Sequence, residues 1–495
     1  MNHWLLVYEK SGKFDTSIFE TDVYQKIKSD NARCYFQRDG KFFDDQLFAA
    51  GDDGLIVSDG VILNLSELKA QLGVSSLKQV IRNQYHNTDK PFFSDFIGPF
   101  CGVYYDKQSD ELIVYTNHTG DGHIFYYHSA QTKIVSNDCN MMAELLRANK
   151  VPYTLDERAV LYLLTYGYMV DERTMFSEIK RVLPGQFIDL NQEKPQQKRY
   201  HRFSFEEKSC SFEEAIELVD AGFRKAVKRC FDKDREYGAQ FHWLDMSGGL
   251  DSRMTAWVAK DMGYDPFICF SYAQSGSDDF RCAGKVAERL GAQSYAKQLD
   301  DASFLYDIDR IVEQNYGQNL WFGFTGAEQL LRIIDHSKFG LKQTGQIGDI
   351  VIGTIASGGE ISQLQHEIKY SRRLPVELSA QMLSEFKSPE EFVLYTRAFM
   401  GPLTAHLLIR NYMYAVSPFA DPEFFQICVS LPMEYRLNHK LYWAWIDKKY
   451  PVAGQIPSTR KRINKNLLIR KGTSACWRRQ DCCRRGEKLH LRQMI

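Results

Sequence analysis

The chain has 495 residues, 44% hydrophobic and 25% charged, an ordinary globular balance with length for two to four domains and no need of a disulfide or metal staple. Its longest run without a charged side chain, residues 314–327, is 14 residues and too short to span a membrane. Eleven Cys without paired spacing, and no apolar leader beyond Trp4–Tyr8, point to reduced thiols in a cytoplasm. The net charge of −1 argues against a general nucleic-acid binder, yet it hides a patch: residues 459–495 hold 12 Lys and Arg against Asp481 and Glu487, so this end carries +10 and the remainder −11.

The first 200 residues read as strand-rich. Trp4–Tyr8, Leu55–Asp59, Phe100–Tyr105, Leu112–Tyr115 and Ile124–Tyr127 are short apolar or aromatic runs bounded by Gly, Asp, Asn or Ser. Asp156 to Tyr168 predicts helix, and Gln186–Leu190 a last strand. The polar segment Asn191–Glu207 marks a domain boundary, giving domains 1–200 and 208–458 and a basic tail 459–495. The second part changes period. Ala239–Asp245 predicts a strand, Arg253–Met262 a helix closed by Gly263, and Pro266–Tyr272 a second strand. Ser277 and Asp278 can cap a helix that carries Ala283, Val286, Ala287 and Leu290 on one face and stops at Gly291; Tyr295–Leu299 predicts a third strand. That alternation implies parallel pairing with right-handed crossovers. Beyond about residue 300 the pattern is mostly helical, interrupted by the Gly-rich 341–353.

The informative motif is Ser247-Gly248-Gly249-Leu250-Asp251-Ser252, between the first strand and its helix. In an open parallel sheet, ligands bind at that carboxyl edge. The two glycines let backbone approach a ligand closely, and the turn amides with the helix N-terminus suit phosphate. Ser247 and Ser252 add hydroxyl donors. Asp251 would repel phosphate unless it holds a bridging Mg²⁺. No Lys follows, so this is not the GxxxxGK[ST] loop.

The motif resembles the SGGxDS pyrophosphate loop of the ATP pyrophosphatases, which cleave ATP between the α and β phosphates. Within them the chain is similar, over nearly its whole length, to the asparagine synthetase and β-lactam synthetase branch. Asp59-Gly-Val-Ile-Leu-Asn64 followed by Glu67-Leu68 resembles the NGEIYN segment of their first domain. Phe100–Asp106, Gly120–Tyr127 and Leu183-Pro-Gly185 resemble its strands and closing segment, and Ser417-Pro-Phe-Ala-Asp421 resembles the late PFLD segment. Thr344-Gly-Gln-Ile-Gly-Asp349 is similar to the second acidic motif, GEGADE. The resemblance implies an α/β and α+β fold: an N-terminal Ntn-type αββα sandwich of glutamine amidotransferase type, then a doubly wound parallel sheet with extra helices. It implies ATP and Mg²⁺, with Asp251 and Asp349 as metal ligands and Gly345 and the 247–252 loop against the nucleotide. Ser271 is expected as an adenosine contact at the end of the second strand. Lys461 is the expected catalytic Lys for pyrophosphate release, with Lys465 and Arg460 as alternatives. Asp251 is expected to be both metal ligand and catalytic.

Departures from the pattern are as informative. The family's glutaminase uses a Cys at the first position after Met removal; residue 2 here is Asn and the first Cys is Cys34. The oxyanion-hole Asn is Asp59, whose carboxylate would repel an oxyanion, and the Glu that grips glutamine is Val61. Loss of glutaminase activity is expected. In the second motif the Glu that can serve as base is Gln346, and Ile350 stands where the final Glu would be. β-Lactam synthetase also replaces that Glu.

The expected activity is therefore an ATP-dependent amide ligase resembling asparagine synthase. It would adenylate a small-molecule or peptide carboxylate, and an amine, either ammonia or a substrate amine, would displace AMP. Glutamine-hydrolysing asparagine synthase proper, a tRNA-modifying pyrophosphatase and a non-catalytic nucleotide-binding relic are the rival readings. No zinc spacing is present, and no specific nucleic-acid partner is expected; a homodimer is allowed. Trp321, Phe322 and Phe324 read as core packing, and Cys476, Cys482 and Cys483 as part of a solvated tail.

Overall fold

The computed structural model describes residues 3–37, 44–320, 325–354 and 360–457. The expectations for Asn2, Lys461, Lys465, Arg460, the 321–324 aromatics and the tail cysteines lie outside the described residues.

Among the described residues, the first half holds twelve strands: β1 (Trp4–Glu9), β2 (Gln25–Ser29), β3 (Ala32–Phe36), β4 (Leu47–Gly51), β5 (Gly54–Gly60), β6 (Phe100–Asp106), β7 (Glu111–Thr116), β8 (Phe125–His128), β9 (Thr132–Ser136), β10 (Ile179–Arg181), β11 (Gln186–Asp189) and β12 (Lys198–Arg199). They form two six-stranded sheets, in the orders β10-β8-β9-β1-β3-β2 and β12-β11-β7-β6-β5-β4, in which every pairing is antiparallel. Alternation explains why β1 reads as a continuous apolar run. Trp4, Leu6 and Tyr8 enter the core shared with Leu55, Val57, Val103 and Val114 of the other sheet. Leu5 and Val7 point the opposite way, toward Met142, Leu145 and Leu146 of the helix α3 (Cys139–Ala148). Helices α1 (Leu65–Leu72) and α2 (Leu77–Asn87) cover the outer face of the second sheet with Phe92, Phe93 and Phe96. This is the expected αββα sandwich.

Helix α4 (Glu157–Tyr166) starts on the Asp156 cap and ends at Gly167 in the left-handed region. The expected boundary, 191–207, contains β12, and Phe203 is buried in the core of the second half. Helix α5 (Phe212–Glu236) follows, fixed by a capping box between Ser211 and Glu214.

The second half is built on β13 (His242–Asp245), β14 (Phe267–Ala273), β15 (Gln293–Gln298), β16 (Lys342–Gln343) and β17 (Ala415–Val416), in the order β15-β14-β13-β16-β17. All four pairings are parallel. Helices α6 (Asp251–Asp261) and α7 (Asp278–Leu290) make the crossovers between β13, β14 and β15. Leu244, Phe267 and Cys269 face one core, while Trp243, Ile268 and Phe270 face another, so both sides of the sheet are covered, as in doubly wound folds. The stretch Pro389–Ile409 has the length and hydropathy of a membrane span, but most of it is buried within the protein, as a core helix is.

Candidate functional site

The strand order runs outward in both directions from β13, so the sheet reverses between β13 and β16. The crevice beyond the carboxyl ends of those two strands is where such sheets bind ligands. Both predicted motifs lie there: residues 247–252 follow β13 and residues 344–349 follow β16.

The first loop is held by its own side chains. Leu250 is buried in the core, and Ser252 Oγ accepts from Ser247 N at 3.1 Å and lies 3.0 Å from Ser247 Oγ. Gly249 N donates to Ser247 Oγ at 3.2 Å. Gly248 N donates to Asp279 Oδ1 at 3.0 Å. Asp279 lies in the first turn of α7, one of two acids behind the Ser277 cap. It is a site residue that sequence reading missed, because acids in a first helical turn are usual and mark nothing by themselves.

Asp251 opens α6 and is partly exposed; its Oδ1 accepts from Tyr442 at 2.9 Å. Tyr442 is buried on the helix α10 (Lys440–Lys449) and is a second residue that the sequence did not mark. The two motifs pack against each other through glycines. A Cβ on Gly348 would lie 2.8 Å from Asp251 Cγ, and one on Gly345 would lie 2.2 Å from Ser252 N. Only glycine permits either approach. Asp349 follows Gly348 in the first turn of the short helix α8 (Gly348–Val351). The Gly-rich interruption at 341–353 is thus a strand, a turn and a helix start.

That turn is strained. Ile347 has φ 63° although it is β-branched, and it stands where the GEGADE pattern has its second glycine. A non-glycine residue in this region costs about 1–2 kcal/mol. Ile347 is buried in the main core, and burying such a side chain contributes about 1.5–3 kcal/mol, so packing outweighs the backbone cost. Gln346 Nε2 donates to Pro402 O at 3.2 Å, and Gln346 O accepts from Ser417 Oγ at 2.9 Å.

Ser271 is not the end of its strand, since β14 continues to Ala273 with Ser271 opposite Ala296 of β15. The register pairs Asp245 with Phe270, so Ser271 still lies level with the start of the 247–252 loop. Arg253, fully buried in the first turn of α6, donates to the carbonyls of Ala453 (3.0 Å), Ile456 (2.8 Å) and Pro457 (2.7 Å). It ties the end of the described chain, four residues before Lys461, to the loop helix.

In the first half, Asp59 is buried and surrounded by donors. Its Oδ2 accepts from Asn137 Nδ2 (2.8 Å) and Trp4 Nε1 (3.3 Å); its Oδ1 accepts from Gly60 N (2.9 Å) and Tyr414 Oη (2.6 Å). Asn137 takes Trp4 N on its own Oδ1, which turns its amide nitrogen toward Asp59. Val61 is fully buried in the core shared with Phe203 and Ile97. The space between Asp59, His123, His406 and Arg410 is only about 20 Å³, room for one water. A much larger cavity, about 930 Å³, lies elsewhere, between α1 and α2 on one side and α5 and the helix α9 (Pro422–Val429) on the other. Neither acidic motif lines it. His118 and His201 do; burial, joined for His118 by the adjacent His201, pushes His118 down to about 3, and burial with Arg199 nearby pushes His201 to about 4.

The chain matches the family model of the glutamine amidotransferase domain over residues 45–201 and that of asparagine synthase over residues 218–328. No curated protein sequence matches it. Among solved structures it is similar to the glutamine phosphoribosylpyrophosphate amidotransferase from B. subtilis complexed with ADP and GMP, at 11% identity over 59% of each chain with a TM-score of 0.27. It is also similar to a structure of the allosteric regulatory enzyme of purine biosynthesis, at 12% identity over 60% of this chain and 59% of that one, again with a TM-score of 0.27. The chain spans about three fifths of either relative's length, and at that TM-score neither adds to what the family models give.

Proposed function

We infer that this chain, which carries the two-domain architecture of the asparagine synthetase family, is an ATP-dependent amide ligase whose amidotransferase half no longer hydrolyses glutamine. The observation that carries the reading is the contact between the two acidic motifs at the reversal of the sheet, with Gly348 pressed against Asp251. The loop amides and the α6 N-terminus would cradle the β and γ phosphates. A substrate carboxylate oxygen would bond to the α-phosphorus while the α–β bridging P–O bond breaks, giving an acyl-adenylate and pyrophosphate. An amine nitrogen would then bond to the acyl carbon as the C–O bond to AMP breaks and the nitrogen gives up its proton. The chain's part is to position the reactants and neutralise charge.

The residues fit Mg²⁺. Asp251 and Asp349 offer hard oxygen donors on abutting turns, and Tyr442 orients Asp251. Among the described residues no group of three or more His, Cys, Asp or Glu is gathered to hold a metal unaided, so phosphate oxygens and water would complete the shell. Bound there, the ion would offset charge on the leaving pyrophosphate. Lys461 is the cation proposed for that leaving group, on the family resemblance of its segment.

Loss of glutaminase is supported by the surroundings of Asp59. An oxyanion hole needs a donor aimed outward, and this position is an acceptor ringed by four donors. Gln346 cannot take a proton, which favours an amine carried on the substrate, as in β-lactam synthetase, over asparagine synthesis from glutamine. ATP–pyrophosphate exchange on candidate carboxylates tests the reading, with Asp251→Ala as control. Exchange that survives Asp251→Ala removes that residue's role, and measured glutamine hydrolysis contradicts the reading of the first half. The rival is nucleotide binding without turnover, which Gln346 favours because it cannot serve as the base that the GEGADE pattern places at that position. Calorimetry that detects ATP binding, with no exchange on any carboxylate, selects that rival.

A further inference from the structure

We infer that Asp59 is a positioning residue of the synthetase half: the disused amidotransferase pocket has become a clasp that holds the second acidic turn in its strained shape. The inference rests on the nucleotide reading given above for residues 344–349.

The connection is continuous and short. Tyr414 donates to Asp59 Oδ1 at 2.6 Å from the residue just before β17. Burial and the adjacent carboxylate push the Tyr414 phenol well up, so it stays a donor. The same residue's carbonyl accepts from Lys342 N at 2.9 Å, which sets the start of β16. Two residues on, Val416 O accepts from Thr344 N at 2.9 Å and from Thr344 Oγ1 at 3.1 Å. Ser417 then donates to Gln346 O at 2.9 Å. Every second residue from Tyr414 to Val416, and then Ser417, is thus bonded to the segment that leads into Ile347 and Asp349. β16 and β17 pair at only two positions, too few to fix a register by themselves. An outside anchor on β17 is what the short pairing needs. Strained turns persist where their surroundings over-determine them, and this turn holds a β-branched residue at φ 63°.

The identity of residue 59 fits that task. Four donors converge on it, two on each oxygen. A carboxylate accepts all four. An Asn has one acceptor oxygen, and its amide would turn two hydrogens toward two of those donors. The residue that would suit an oxyanion hole is therefore the wrong residue for the clasp.

Hydrogen–deuterium exchange on the full chain tests this, with Tyr414→Phe as the mild variant, Asp59→Asn as the second and the melting temperature as a check on folding. Calorimetric Mg·ATP binding is measured on the same proteins. The expected result is exchange on the order of tenfold faster for residues 342–351 in both variants, with β6 and β7 unchanged, and no further gain in the double variant. Mg·ATP binding should weaken in step. Unchanged exchange at 342–351 in a folded Tyr414→Phe protein overturns the inference, as does unchanged Mg·ATP affinity where the parent protein binds it. A parent protein that binds no Mg·ATP overturns the nucleotide reading instead, and the exchange comparison then still decides whether Asp59 restrains this turn.

Discussion

Ile347 and Asp279 carry the sharpest consequences at the scale of single residues. Ile347 combines a buried side chain with a backbone angle that suits glycine. Truncation to Ala removes the packing and keeps the strain, whereas truncation to Gly removes both. Ile347→Gly should therefore be more stable than Ile347→Ala by about 1 kcal/mol, the reverse of the usual order, and both less stable than the parent; urea unfolding would decide. Asp279 places a carboxylate on a loop amide that phosphate would use. Asp279→Asn should tighten ATP binding a few-fold, the scale of an exposed charge contact, and an unchanged or weaker affinity would show that the carboxylate does not compete. Residue identity was readable where chemistry restricts the choice, as at Ser247, Gly248, Gly249 and Asp251. It was silent on Tyr442 and Asp279, which are ordinary core and helix-start residues until the fold brings them to the loop.

Among the elements, the long strands and capped helices could be read directly. β1, β5, β6, β13 and β14 are apolar runs of a length that buried strands have, and α7 begins and ends on the residues expected, Ser277 and Gly291. β16 and β17 could not, because two residues carry no period. They exist through their pairing with β13 and each other. The helix α6 starts two residues earlier than the pattern suggests, at Asp251, since the glycines before it leave no apolar signal to mark the turn. Its Arg253 then does what no sequence pattern predicts, donating to three carbonyls near residue 457. Arg253→Met should cost about 3 kcal/mol, because two buried carbonyls and a partly buried one lose their donor; a melting temperature within a degree of the parent's would refute that.

Over the whole molecule, the amidotransferase-like half is tied to the synthetase-like half by buried polar contacts. Asp121 Oδ2 lies 3.0 Å from His406 Nδ1, alongside the Asp59–Tyr414 bond. Buried histidines make this body sensitive to acid. His118 is pushed down to about 3 by burial and by His201, so it stays neutral in the folded chain while the unfolded chain takes up a proton near pH 6.5. Its contribution to stability is complete above pH 6.5 and is lost as pH falls toward 3. Between pH 7 and pH 5 that loss is about 2 kcal/mol. His118→Gln should flatten the pH dependence of unfolding over this range, and an equal slope in parent and variant would rule the residue out.

The sequence by itself determined the change from a strand-rich first half to an alternating second half, the Gly-rich turn after β13 and the identities of Asp59 and Val61, because each depends on local order: alternation, capping, glycine spacing, or the identity of one residue at one position. The tertiary structure decided what those residues touch. That Asp59 accepts four hydrogen bonds, that Gly348 lies against Asp251, and that Tyr414 links the first half to the second acidic turn all join positions far apart in the chain. Such contacts follow from how sheets and helices pack, and packing is set by the summed burial of the whole core rather than by any segment of the chain.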